Sequence, residues 1–233
     1  MKKFYYLTLL NINILKKIKI PYFMAAIPIV ILIALLIFFR SNASDKININ
    51  EIFDIFLINS VNFVMIFCAT YYSKYVFLYE KFDGNIIENF LISTVTPKML
   101  LFTKSIAVSL LSLALAILPF LMVFIIIFPC IIFKLTLFHF VYIFLSCPLI
   151  ILGVSAFSGI FLLTFSDWRI FNVTTGLLMF GIMYTIGEVK VLLTDNGFKS
   201  VSIAVLIFSI LCMFLVLFFT EFYLKKERIL SSY

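Results

Sequence analysis

Long apolar runs separated by short clusters of charge constrain this sequence more than any other feature. Of the 233 residues, 64% are hydrophobic and only 12% are charged. A soluble domain is typically about 45–50% apolar and about 25% charged, so a water-soluble fold of this size would lack the polar surface to cover itself. The pattern predicts an integral membrane protein with an all-α fold.

Six runs approach the roughly 20 apolar residues that a helix needs to cross the hydrocarbon core of a bilayer. The fourth run is longer than one straight span requires, and we expect a kink at Pro148, because proline removes a backbone hydrogen bond inside a helix. No repeat or linker divides the sequence, so residues 1–233 are predicted to form a single transmembrane domain. The predicted spans cover residues 21–39, 55–77, 103–128, 138–165, 170–186 and 201–224.

Residues 1–20 are predicted to form an interfacial helix rather than a signal peptide. Lysines follow the short apolar run, and no small-residue cleavage site is present. Apolar residues recur at helical spacing with the lysines off that stripe, as in a helix that lies on the inner membrane face. The stripe consists of Phe4, Leu7, Leu10, Asn11, Ile14 and Ile18.

The distribution of positive charge predicts the orientation. With the N-terminus inside, thirteen of the eighteen Lys and Arg residues fall in the predicted inner segments. This excess predicts that both termini are cytoplasmic in a multi-pass plasma-membrane protein. The cations stand between the apolar runs, where they fix orientation, so the net charge of +7 does not indicate a nucleic-acid partner. The wealth of Ile, Asn, Lys and Phe is typical of an AT-rich bacterial genome.

The connection between the second and third predicted spans is longer than a simple turn requires. It has a charged start, a glycine, a short amphipathic run over residues 85–92 and then the sequence Ser93-Thr94-Val95-Thr96-Pro97. We expect Thr96 or Ser93 to cap the helix that continues into the third span, with Pro97 in its first turn. The sequence therefore predicts a short helix along the inner membrane face within residues 80–98, followed by a new helix start.

This stretch resembles the signature of ABC-2 type transporter permeases. In that signature the second span is followed by Glu-x-x-x-Gly, an amphipathic helix, Ser/Thr-Pro-Val-Ser/Thr and a Leu-rich run that ends in Gly-Lys. Glu80 and Gly84 keep the first spacing, and residues 93–96 and 100–104 match the second half. The departures are Thr94 in place of proline, Thr103 in place of glycine, and one extra residue between Gly84 and Ser93.

The resemblance implies that the short helix is a coupling helix, which docks onto a separate ATPase subunit. It also implies that two permease chains, identical or related, form the membrane pathway of an exporter. ATP and Mg would then bind to the ATPase subunits, and the chain itself, which has no GxxxxGK[ST] loop, would bind no cofactor and catalyse no reaction. The residues that the resemblance assigns to ATPase coupling are Glu80, Asp83, Gly84, Ile87, Glu88, Phe90, Leu91, Thr94, Pro97 and Lys98.

Polar residues inside two predicted spans are candidates for the translocation path. Asn59 and Asn62 lie in the outer half of the second span, and Asn172 and Thr175 lie near the inner end of the fifth. Such side chains are costly in lipid unless they face protein or water. In the resembled family these two helices flank the dimer interface and the path, so the residues are candidates to line it. Ordinary interhelical hydrogen bonding is an equal alternative.

Other residue types have simpler interpretations. His139 is the only histidine and has no second ligand at metal-binding spacing, so no metal site is predicted. The four cysteines lack CxxC spacing and are predicted to be packing residues in helices. Ser155 and Gly159 form a small-xxx-small pair, which favours close helix packing within one chain.

The family resemblance and the Phe- and Ile-rich spans favour an amphipathic or hydrophobic cargo, such as a peptide, toxin, antibiotic or lipid-linked molecule. Two alternatives remain open. One is a substrate-binding membrane module of a vitamin or metal importer, which would need a concentrated polar pocket toward the outside. The other is a non-transporting immunity or sensor subunit on the same scaffold.

Overall fold

The computed structural model describes residues 2–23, 25–26, 29–30, 33, 53–54, 57–79, 95–127, 135–164 and 197–225. Throughout these ranges every regular element is a helix. Helix α1 covers Lys2–Leu15, and the described residues between 20 and 33 are also helical. Helix α2 runs through three consecutive segments, Leu57–Val61, Asn62–Ser73 and Lys74–Tyr79, of which the first and last have the wider turn of a π-helix. Helix α3 covers Pro97–Ile127, α4 covers Leu137–Thr164, and α5 covers Gly197–Tyr223.

Three of these helices are long and apolar enough to cross a bilayer. They are Pro97–Ile126, Leu137–Thr164 and Gly197–Tyr223. Their outward surfaces carry large apolar side chains, and along α5 Phe214 is 65% exposed and Phe208 61%. An apolar exterior of this extent is suited to lipid and not to water. The prediction of a helical membrane protein is thus confirmed at the level of class.

The predicted spans agree with the observed helices where the two can be compared. The third span begins at Pro97 rather than at residue 103, and the sixth begins at Gly197 rather than at residue 201. The fifth predicted span, 170–186, and most of the first, 21–39, lie outside the described residues. The N-terminal helix is present over Lys2–Leu15 within the predicted range 1–20.

Helix α3 starts where its sequence predicts a cap. The backbone N–H of Met99 donates to Oγ1 of Thr96 at 3.2 Å, and the N–H of Leu100 donates to the Thr96 carbonyl at 3.0 Å. Pro97 is the first helical residue, a position where its missing N–H costs nothing. Of the two predicted caps, Thr96 is therefore the one that the helix uses, and Ser93 lies outside the described residues.

Helix α4 is irregular near its beginning. Residues Tyr142–Ser146 form a π-helical turn, and regular α-helix resumes at Cys147, directly before Pro148. Such wide turns are common next to positions that disturb the hydrogen-bond ladder. The irregular turn precedes Pro148, and the kink expected at Pro148 itself stays a prediction.

The helices form a closely packed bundle. Helices α2, α3 and α4 pack on one another, and α1 packs against α3. The side chains of Tyr72, Tyr142 and Phe77 are fully buried in this bundle. Cys68 and Cys147 are buried free thiols, as expected of packing residues, whereas Cys212 is half-buried and Cys130 lies outside the described residues.

Candidate functional site

The buried lysine of α3 fixes the start of this helix to the end of α2. Lys104 is only 1% exposed, and its Nζ donates a hydrogen bond to the backbone carbonyl of Val76 at 2.9 Å. Nζ also lies 5.7 Å from the centre of the Phe77 ring, within range of a cation–π interaction. A buried ammonium group needs such partners, because burial removes the water that would otherwise solvate it.

Close packing around Gly159 joins α4 to the same junction. A Cβ atom at this position would lie 2.6 Å from Cδ1 of Leu101 and 2.7 Å from Cζ of Phe77. A larger residue would therefore require Leu101, Phe77 or α4 itself to shift. The prediction of close helix packing at the Ser155/Gly159 pair is confirmed, and Ser155 adds a hydrogen bond from its Oγ to the Ser105 carbonyl at 3.1 Å.

An exposed ion pair connects the start of α3 to the end of α5. Nζ of Lys98 and Oε1 of Glu221 are 2.5 Å apart, with the two side chains 49% and 68% exposed. Exposed pairs of this kind contribute little to stability, about 0–1 kcal/mol. Lys98 is thus accessible to a partner, as a surface contact requires. We call the group Phe77, Lys98, Leu101, Lys104, Gly159 and Glu221 the Lys104 junction.

The Lys104 junction lies at both ends of the predicted coupling segment. Helix α2 ends at Tyr79 and the described chain resumes at Val95, so the segment between them leaves and returns at this junction. Of the predicted coupling residues, Pro97 starts α3 and Lys98 lies in its first turn. The remaining coupling residues lie outside the described residues: Glu80, Asp83, Gly84, Ile87, Glu88, Phe90, Leu91 and Thr94.

The candidate path residues are only partly described. The amide Nδ2 of Asn62 donates to the hydroxyl oxygen of Tyr142 at 2.5 Å, which ties α2 to α4 within one chain. The Oδ1 atom of Asn62 is buried and has no hydrogen-bond partner among the described residues. Asn59 lies in α2, but its side chain is outside the described part, as are Asn172 and Thr175. The Asn62 contact is of the interhelical kind that the sequence left as an alternative.

The opposite end of α2 and α4 holds a second polar cluster, centred on His139. The backbone N–H of Thr136 donates to Nδ1 of His139 at 3.0 Å, so Nδ1 is an acceptor and Nε2 carries the proton. Nε2 lies 2.7 Å from Oδ1 of Asp54 and donates to it. Through this bond the segment before α2 is held against the first turn of α4.

Aromatic rings enclose the imidazole of His139. The ring of Phe198, from the first turn of α5, stacks on it with centroids 4.2 Å apart and an interplanar angle of 10°. The ring of Phe53 is also close to the imidazole, with centroids 5.7 Å apart. His139 therefore joins the beginnings of three helical segments, and we call Phe53, Asp54, Thr136, His139 and Phe198 the His139 cluster. No group of three metal-ligating side chains occurs within the described ranges.

Two features of the structure were not predicted from the sequence: the His139 cluster and the burial of Lys104. A usable signal was present for the cluster. Asp54 is an acidic residue at the predicted outer end of the second span, and the only histidine lies near the predicted outer end of the fourth. Two rare ionisable residues at the same depth are candidates to pair. The burial of Lys104 also had a signal, because Lys104 falls inside the predicted third span, 103–128, where an ionisable side chain needs a partner within the protein.

Comparisons with protein-family profiles, with curated proteins and with solved structures give no match to this chain.

Proposed function

We propose that the chain is the permease subunit of an ATP-driven exporter, working as a dimer with an identical or related permease chain and with separate ATPase subunits. The observation that carries the proposal is the resemblance of residues 80–104 to the ABC-2 permease signature. In this proposal the chain has six spans with both termini cytoplasmic, and ATP and Mg bind to the ATPase subunits.

The Lys104 junction supports a mechanical role for the coupling segment. Force applied to a segment reaches the membrane only if both of its ends are attached to rigid helices. The end of α2 and the start of α3 are held together by the Lys104–Val76 hydrogen bond, and α4 packs on both at Gly159. A push on the segment would thus move three helices together, as helix-shift switching requires.

The directions of the described helices support the six-span arrangement. Helix α4 ends at Thr164 on the side of the Lys104 junction, whereas α5 begins at Gly197 on the side of the His139 cluster. The chain between them has to return to the other end, and the predicted fifth span, 170–186, would make that single crossing.

ATP binding would close the ATPase dimer against the coupling helix and shift the second and fifth spans between inward-closed and outward-releasing states. The cargo is an amphipathic or hydrophobic molecule such as a peptide, toxin, antibiotic or lipid-linked compound. Its support is the family resemblance together with the Phe- and Ile-rich composition. Of the predicted path residues, Asn59, Asn172 and Thr175 would line the seam between two protomers, whereas Asn62 bonds to Tyr142 within one chain.

Co-expression with candidate ATPase subunits from neighbouring reading frames tests the proposal. The wild-type chain should co-purify with its ATPase, and the reconstituted complex should hydrolyse ATP faster when cargo is present. Asp83→Lys with Glu88→Lys should abolish co-purification by reversing charge in the coupling segment. Asp195→Lys, in the predicted outer loop, is the matched control and should co-purify normally. A chain that is active alone, or equal loss in both variants, would contradict the proposal.

A further inference from the structure

Helix α1 has two different faces. The face toward the bundle holds Thr8, Asn11 and Leu15, which are 9%, 6% and 0% exposed, and α1 packs with it against α3. The predicted apolar stripe lies largely on this face, except that Leu10 is exposed. The stripe that the sequence assigned to the membrane is thus mostly used to bind the rest of the protein.

The opposite face of α1 is aromatic and apolar in its middle. Tyr5 and Tyr6 are 63% and 68% exposed, and Leu9 and Leu10 are 37% and 47% exposed. The two tyrosine rings contact each other edge to face, with centroids 6.1 Å apart. Tyrosine rings with apolar neighbours are typical of a surface at the boundary between lipid and water, where one end of the ring is wet.

Lysines lie at both ends of this exposed face. Lys3 is near the beginning of the helix, while Lys16, Lys17 and Lys19 directly follow its end, and all four are exposed. The first acidic residue in the sequence is Asp45, so the charged side chains of the first 44 residues are all basic. A cationic face with an apolar centre complements a leaflet that contains anionic headgroups.

We propose that the exposed face of α1, formed by Tyr5, Tyr6, Leu9 and Leu10, together with Lys16 and Lys17 directly after its end, binds anionic phospholipid headgroups selectively. The rings and leucines enter the headgroup region, and the lysine ammonium groups contact lipid phosphates. Because the other face of α1 is packed on α3, the bound lipid is attached to the bundle through a fixed helix. This proposal does not depend on the proposed transport function.

Lipid selectivity can be measured on the full chain. The protein is reconstituted in phosphatidylcholine vesicles with a trace of spin-labelled phosphatidylglycerol or spin-labelled phosphatidylcholine. The fraction of each probe that is motionally restricted gives their relative association constant. We expect phosphatidylglycerol to be favoured, and we expect the preference to fall as salt is raised from 0.01 M to about 0.15 M, because screening shortens the reach of the charges.

Variants at Lys16 and Lys17 locate the effect. Lys16→Gln with Lys17→Gln should lower the preference by up to roughly fivefold for each lysine, whereas Lys16→Arg with Lys17→Arg should keep it. Lys199→Gln, an exposed lysine at the other end of the bundle, is the matched control and should behave as wild type.

Two results would overturn the proposal: equal restriction of the two lipids by wild type, or a Gln pair that keeps the full preference. If the Gln pair does not fold, the single variants Lys16→Gln and Lys17→Gln decide in its place, since each should lower the preference and a variant that keeps it in full would overturn the proposal.

Discussion

At the residue scale, Lys104 shows how a charge can be accommodated inside an apolar bundle. Its ammonium group has a carbonyl partner and lies near an aromatic ring, so the charge is accommodated. Removing it would leave the Val76 carbonyl without this donor, at a cost of about 1–3 kcal/mol. Burying an ammonium group costs several kcal/mol of lost hydration, and a neutral side chain would not carry this cost. The gain from avoiding it is at least as large as the loss at the Val76 carbonyl.

We therefore expect Lys104→Met to leave the thermal unfolding midpoint of the purified chain unchanged or higher. In a Cys130→Ser, Cys212→Ser background, reaction of a thiol-reactive dye with Cys68 and Cys147 measures the midpoint, because both thiols are fully buried in the folded chain. A fall of several degrees would show instead that the Lys104 hydrogen bond is a net stabilising contact.

Any side chain at position 159 should destabilise the chain. In Gly159→Ala the new methyl group would meet Leu101 and Phe77 at less than 3 Å, so these side chains or helix α4 must shift. Overpacking of this kind costs about 1–3 kcal/mol, or roughly 3–10 °C in the unfolding midpoint for a chain of this size. The same dye assay gives the value.

Gly153→Ala is the matched control for this change. It lies in the same helix, and its new methyl group would be 3.7 Å from Cβ of Cys212, an ordinary contact distance. Its midpoint should stay within about 2 °C of wild type. If both substitutions lowered the unfolding midpoint equally, the cause would be the replacement of glycine in α4 as such. The close contact with Leu101 and Phe77 would then not explain the effect.

At the scale of elements, the His139 cluster connects the beginnings of α2, α4 and α5. If the His139–Asp54 hydrogen bond carries this connection, the effects of His139→Ala and Asp54→Ala on stability should not add. A bond that involves a carboxylate contributes about 1.5–3 kcal/mol, so the double variant should be more stable than the sum predicts by about that amount.

The measurement is a double-mutant cycle of unfolding free energies. His139→Ala also loses the stacking contact with Phe198. This loss is the same with Asp54 and with Ala at position 54, so it cancels in the cycle. Additivity within about 0.5 kcal/mol would show that the two side chains do not interact in the membrane-embedded protein.

Helix starts were predictable where a local signal fixes them. The Thr96–Pro97 pair marks the start of α3 because a hydroxyl cap and a proline at the first position act through neighbouring residues. The His139 cluster was not predicted, because its two ionisable residues are 85 positions apart in sequence. Contacts between helices depend on how each helix is rotated about its axis and on its depth in the membrane. The periodicity of the sequence determines both only approximately.

At the scale of the whole molecule, composition alone predicted a helical membrane protein, since apolar surface on this scale has no other stable environment. The face of α1 that contacts α3 was not predictable. Its stripe is equally suited to lipid and to a neighbouring helix, and only the packing of Leu15 into the core decides between them. The coupling residues from Glu80 to Thr94 rest on the sequence resemblance, and the described residues bear on them only through Pro97 and Lys98.

The central claim is that residues 80–94 receive force from an ATPase on the cytoplasmic side. The most direct test is a photo-crosslinking amino acid at position 88, in place of Glu88, in cells that express the ATPase subunits. We predict a crosslinked product of permease and ATPase from position 88 and none from the same probe at position 195. A crosslink at neither position, or labelling of position 88 by a membrane-impermeant reagent added outside the cell, would contradict the account.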